Sequence, residues 1–182
     1  MVMRQDMVEL YGSEKLVTVS SEDVERLRLR AADAEVLTMV GLPRLSSPFF
    51  TTDVQGGPEF LRIIDVTTRD GKEHREVIIG GPPGDPGMRF SVSAYEGFIT
   101  LAQLEGTRPR GEIVNNNLSE FVEFLYRIEL HRTRAADDPA RREEQLEELR
   151  NTLMKIDPHS FELADDWWSI VLHQLGGGGI GW

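Results

Sequence analysis

Apolar positions along the chain change their spacing twice, and the changes divide it into a helical, a strand-rich and a second helical region. Val24, Leu27 and Ala31 recur at helical spacing, with Ser20 or Ser21 placed to cap the helix and Asp23 near its positive end. Val36, Leu37 and Val40 predict a second short helix closed by Gly41-Leu42-Pro43, where Gly41 can take the left-handed conformation that ends a helix and Pro43 cannot extend it. From Phe60 the spacing drops to the strand period. Phe60–Val66, Glu76–Ile79, Met88–Tyr95, Phe98–Leu101 and Glu112–Val114 read as strands, and Asp70-Gly71 and Glu96-Gly97 supply the chemistry of tight turns. Together they predict an antiparallel meander. Phe90 and Val92 point one way and Ser91 and Ser93 the other, which predicts a sheet with one buried and one wetter face.

Helical spacing returns after Val114. Asn117 reads as an N-cap with Glu120 three residues on, a capping-box arrangement, and Leu118, Phe121, Val122, Phe124, Leu125 and Ile128 give the helix behind it a broad apolar face. Asp138-Pro139 predicts the start of the next helix, whose stripe is Leu146, Leu149, Leu153 and Ile156 and whose stop is Asp157-Pro158. Asp165 or Asp166 opens a last helix that carries Trp167, Trp168, Ile170, Val171, Leu172 and Leu175, with at least one indole in the core. The glycines from Gly176 to Gly179 end it. Residues 1–175 are expected to form one domain and residues 176–182 a Gly-rich flexible tail.

Composition narrows the chemistry. The 182 residues contain no Cys, so disulfides, thiolate metal sites and a cysteine nucleophile are excluded, and the composition suits a reducing cytoplasm. No apolar run approaches the roughly 18 to 20 residues a membrane span needs, and the N-terminus leads into no signal-like apolar segment. A net charge of −11 works against direct binding to nucleic acid and favours a basic protein partner. Over half of the net negative charge lies in the stretch Asp137–Asp166, where ten acids against four bases leave −6. Glu143 and Glu147, and Glu144 and Glu148, stack like charges one helical turn apart, at a cost of about 0.2–0.5 kcal/mol per pair. Such a face is either solvated or a docking surface for a basic partner.

Candidate active-site patterns fail on inspection. Gly80-Gly81-Pro82-Pro83-Gly84-Asp85-Pro86-Gly87 is glycine-rich, but it lacks the Lys-Ser/Thr that a phosphate cradle needs, and its prolines remove backbone donors. It reads as a structural or partner-binding loop. His74, His131, His159 and His173 stand at no metal-ligand spacing, and no Gly-x-Ser-x-Gly nucleophile motif is present. No catalytic residue, cofactor or metal site is expected. An enzyme would have to assemble its site in three dimensions from a histidine and carboxylates, and would show a deep polar pocket.

Taken in order, two N-terminal helices ending in Gly41-Leu42-Pro43, Phe49-Phe50, Ile78-Ile79-Gly80, a strand with a Glu96-Gly97 turn, Val114-Asn115 through Leu125 and a last Trp-bearing helix resemble the SUKH superfamily, and most of all its fourth immunity-protein group. The resemblance runs from about Ser20 to Leu175. It implies an α+β fold with a mostly antiparallel sheet of about five or six strands, packed with N-terminal and C-terminal helices. It also implies an immunity protein that binds a cognate toxin of a polymorphic toxin system, a nuclease or nucleic-acid deaminase, and occludes its site; a regulatory scaffold is the alternative. A toxin of that kind carries a positive substrate groove, so the partner is expected to be basic. Contacts are expected at Asp85, Tyr95, Glu96 and Glu112, in the strand loops and on the wetter sheet face, and at Glu143, Glu144 and Glu148 of the acidic helix.

Overall fold

A computed structural model of the protein describes residues 1–67, 71–104 and 110–177, with the side chain of residue 110 excepted. Asp70 of the expected Asp70-Gly71 turn and the tail from residue 178 onward lie outside the described residues. The chain begins with α1 (Arg4–Tyr11), a short pairing strand β1 (Leu16–Val17), α2 (Ser21–Leu27) and α3 (Ala31–Glu35), which runs on as a wider turn over Val36–Val40. Short strands β2 (Leu42–Pro43), β3 (Leu45–Ser46) and β4 (Phe50–Thr51) follow, with β1 pairing β2 and β3 pairing β4. Five strands then form the main sheet: β5 (Ile63–Thr67), β6 (Glu73–Gly80), β7 (Met88–Ser93), β8 (Ile99–Gln103) and β9 (Arg110–Asn115), antiparallel in sequential order. The C-terminal helices are α4 (Leu118–Asp137), α5 (Arg142–Ile156) and α6 (Trp167–Leu175). The fold is α+β with an antiparallel meander, as the strand spacing predicts.

Helix boundaries follow their caps. Ser20 Oγ accepts the Asp23 N–H at 3.1 Å and starts α2, which ends at Arg28 in the left-handed conformation (φ 55°). Ala31 therefore opens a new helix rather than extending the first. The break turns α3 so that buried Asp33 accepts from Arg30 Nε at 2.8 Å and from the Leu118 N–H, at the start of α4, at 3.3 Å. Gly41 closes the following turn with φ 87°, and a Cβ there would lie 2.9 Å from the Val17 carbonyl oxygen, so only glycine lets β2 come this close to β1. Asn117 caps α4, its Oδ1 accepting the Glu120 N–H at 2.9 Å.

The helices cover one face of the sheet. Val77, Ile79, Phe90, Val92, Ile99, Leu101 and Val114 point toward them and join Phe121, Phe124, Leu125, Trp167 and Trp168 in one apolar core. Aromatic rings run through it in contact: Phe90 lies 5.2 Å from Phe121 and 5.6 Å from Trp167, and Trp168 lies 5.2 Å from Phe124. Both indoles are buried, and Trp168 Nε1 donates to the Val114 carbonyl and to Asn115 Oδ1, each at 3.0 Å. Burying side chains of this size contributes about 1.5–3 kcal/mol apiece, which explains a core built without disulfides. Leu149 and Leu153 pack α5 onto α4, with Leu146 and Ile156 of the expected stripe half-buried beside them.

A buried knot ties the start of α4 to the end of α5. Asp157, 1% exposed, accepts from Asn115 Nδ2 at 3.2 Å, Asn116 Nδ2 at 2.9 Å and Ser160 Oγ at 2.8 Å. Asp157 thus stops α5 and fastens the chain that leaves β9.

Candidate functional site

Among the described residues no helix covers the second face of the sheet. Alternation and register place Ile64 and Val66 of β5, His74, Glu76 and Ile78 of β6, Arg89, Ser91 and Ser93 of β7, Thr100 and Ala102 of β8, and Ile113 of β9 on it. One half of this face is closed by the preceding chain. Arg89, fully buried, donates from Nη2 to the Gln55 carbonyl at 2.7 Å, from Nε to Pro58 at 2.9 Å and from Nη1 to Met88 at 2.7 Å and Pro86 at 3.1 Å. A guanidinium supplies five N–H donors in a fixed fork, and here backbone carbonyls from two segments take them. Desolvation lowers its pKa from the ordinary arginine value. The segment Gln55–Pro58 is strapped across the sheet by this one side chain.

The other half is open, and its polar groups are already ordered. Ser91 Oγ donates to Glu76 Oε2 at 2.8 Å, Ser93 Oγ donates to Glu96 Oε2 at 2.5 Å, and His74 Nδ1 lies 3.7 Å from the Glu96 carboxylate. The expectation of a wetter face needs correction at its centre, because Ser91 and Ser93 are 2% and 3% exposed. Their hydroxyls are spent on the two glutamates, so the face is polar there without being wet. Burial raises the pKa of Glu76, and the Ser93 hydroxyl lowers that of Glu96. Around these groups Tyr95, Ile113 and Val66 stand in solvent, 63%, 57% and 38% exposed.

The residues expected to meet a partner separate into three places. Tyr95 and Glu96 are exposed at the tip of the open face, where Gly97 (φ 80°) completes the expected turn. Asp85 is half-buried in the loop after β6, where its Oδ1 accepts the Gly87 N–H at 2.8 Å; that loop also supplies the Pro86 carbonyl to Arg89. Glu112 points to the helical side, and its Oε1 accepts the Trp167 N–H at 2.8 Å. It thereby does for α6 what the sequence assigns to Asp165 or Asp166; Asp166 instead accepts from the Leu163 N–H at 2.7 Å. Burial raises the Glu112 pKa, with Asp166 and Asp165 adding to the rise. Glu143, Glu144 and Glu148 are exposed on α5, with Glu144 paired to Arg141 at 2.8 Å. Because α5 packs on α4 and the open face turns away from α4, the two glutamate groups do not form one surface.

Histidines do not converge on a shared site. His159 pairs with Glu162 at 2.6 Å, His74 with Glu96, and His131 lies between α4 and α5 beside Gln145 and Glu148. Among the described residues no group of three His, Asp or Glu side chains is placed to hold a metal ion. No helix among them is long and apolar enough to cross a membrane. Sequence spacing did not reveal His74, Glu76 and Arg89, whose partners lie on other strands or in a distant segment.

The sequence model of the SUKH-4 immunity protein family matches residues 2–174. No curated protein and no solved structure matches the chain. The match extends the likeness upstream to include α1 and takes in the whole sheet and nearly all of α6. With almost its full length covered, the chain belongs to the SUKH-4 immunity protein family.

Proposed function

We propose that this protein binds a cognate toxin domain in the cytoplasm and neutralises it by covering the toxin's active groove, without performing chemistry of its own. Membership of an immunity-protein family is the observation that carries the reading. The net charge of −11 supports a basic partner, and a positive groove built for nucleic acid, as in a nuclease or deaminase, is the natural counterpart. An interface of standard size takes roughly 800 Å² from each partner, a small share of the 10296 Å² that this protein exposes. The expected contacts fall on separate surfaces, Asp85, Tyr95, Glu96 and Glu112 about the sheet and Glu143, Glu144 and Glu148 on the acidic helix, so a single interface draws on one of the two sets.

Co-expression with a candidate toxin domain, taken from the C-terminus of any large secreted protein whose gene adjoins this one, tests the proposal. Restored growth together with a complex that survives gel filtration is the expected result. Persistent toxicity with no complex contradicts it.

A further inference from the structure

The open half of the helix-free face has the anatomy of an interface core that lacks its other side. Val66 stands opposite His74, Glu76 opposite Ser93, Ser91 opposite Thr100, and Thr100 opposite Ile113, so the surface runs without interruption from β5 to β9. Five strands spaced about 4.8 Å apart carry it across roughly 19 Å. An exposed tyrosine at its tip and isoleucine and valine at its edges are residues that gain most from burial by a partner. Glu76 and Glu96 lie between them, each held in place by a serine hydroxyl, so little side-chain entropy remains to be lost when a donor arrives. The acidic helix offers less: among the described residues its exposed large apolar side chains amount to Met154, and Glu144 already has Arg141.

We propose that the toxin seats on this open sheet face and not on α5, burying Tyr95 and Ile113 and placing a lysine or arginine side chain against Glu76 and Glu96. The inference rests on the neutralisation reading and assigns its surface and the chemistry of the contact. Two carboxylates with one imidazole beside them, and with the Arg30 guanidinium on Gly97 already paired to Asp33, make the face complementary to a cationic side chain. Such a contact specifies orientation, while the aromatic and aliphatic groups supply most of the affinity.

The test measures binding of the toxin domain that this protein neutralises in co-expression to the full-length chain by titration calorimetry at two salt concentrations. Tyr95→Ala should raise the Kd by about tenfold or more, and Glu76→Gln with Glu96→Gln should weaken binding and flatten its salt dependence. Glu143, Glu144 and Glu148 changed together to Gln should leave the Kd within about twofold. Tyr95 is exposed, so an unchanged melting temperature shows that its variant still folds. Wild-type affinity in Tyr95→Ala, or loss of binding in the α5 variant, overturns the inference and leaves the neutralisation reading standing. If the Gln pair binds as wild type with the same salt dependence, the cationic contact is wrong. A light-scattering mass that halves on Tyr95→Ala would assign the face to a second copy of this chain and overturn the inference. Failure of the wild-type chain to bind the domain removes both readings.

Discussion

Arg89 shows how far a single side chain can act at a distance in sequence. Its guanidinium is buried among backbone carbonyls of Gln55, Pro58, Pro86 and Met88, whose dipoles solvate its charge, and Asp85 adds a favourable charge nearby. Arg89→Met should cost on the order of 3 kcal/mol, because several buried acceptors lose their donors together. Hydrogen exchange should rise over residues 53–60 before it rises in β6 or β7; equal protection in both proteins would mean that the strap is held by other contacts. At Gly80 (φ 155°) a Cβ would lie 2.5 Å from the Phe50 ring and 2.5 Å from the Thr51 carbonyl oxygen. Gly80→Ala should therefore lower stability by about 2 kcal/mol or more, since both neighbours are packed and one is backbone; denaturant unfolding measures it. Neither effect is legible in sequence. The alternation of Arg89 with Phe90 marks it as facing away from the helices, but nothing local indicates that carbonyls more than 30 residues upstream will enclose it.

Elements with strong internal spacing were legible, and those decided by tertiary partners were not. The meander, α4 and α5 follow from alternation, the Asn117 cap and the Leu149–Leu153 stripe. By contrast α1 buries only Met7 and Tyr11, too few apolar positions to announce a helix. The split between α2 and α3 goes with the inward turn of Asp33, and the first N–H of α6, that of Trp167, donates to Glu112 on β9. The seam between α4 and α5 carries two predictions. Asp157→Ala removes the acceptor shared by Asn115, Asn116 and Ser160 and should destabilise by about 2–4 kcal/mol, with the loss seen in denaturant midpoint. His131 lies in a crevice of about 100 Å³ lined by Arg127, Arg134, Gln145 and Glu148. Burial, with Arg142 adding to it, holds its imidazole below the ordinary value of 6.5. The unfolded chain therefore takes up this proton at a higher pH than the folded one. The His131 contribution is intact above about pH 6.5 and is lost as pH falls from there through the folded value. His131→Gln should flatten that part of the stability profile; an unchanged slope between pH 7.5 and pH 5 would show that His131 does not set it.

For the whole molecule, charge and surface shape carry the functional account. The sequence placed Tyr95 and Glu96 on an exposed turn but grouped them with Glu112 and the α5 glutamates, which the fold directs elsewhere. Residue type alone cannot separate a carboxylate that caps a helix from one that faces a partner; that distinction is made by which side of the sheet a strand position takes. A protein with a net charge of −11 should meet a basic toxin quickly at low salt, with the association rate falling as ionic strength rises. Stopped-flow mixing would show this directly, and a rate indifferent to salt would argue for a partner without a positive surface. The central claim is that the protein occludes its partner and transforms nothing. Titrating purified toxin domain with this protein and assaying residual toxin activity tests it most directly. The account predicts a linear fall to zero as the two proteins become equimolar, independent of incubation time. Inhibition by far smaller amounts, deepening with time, would contradict it.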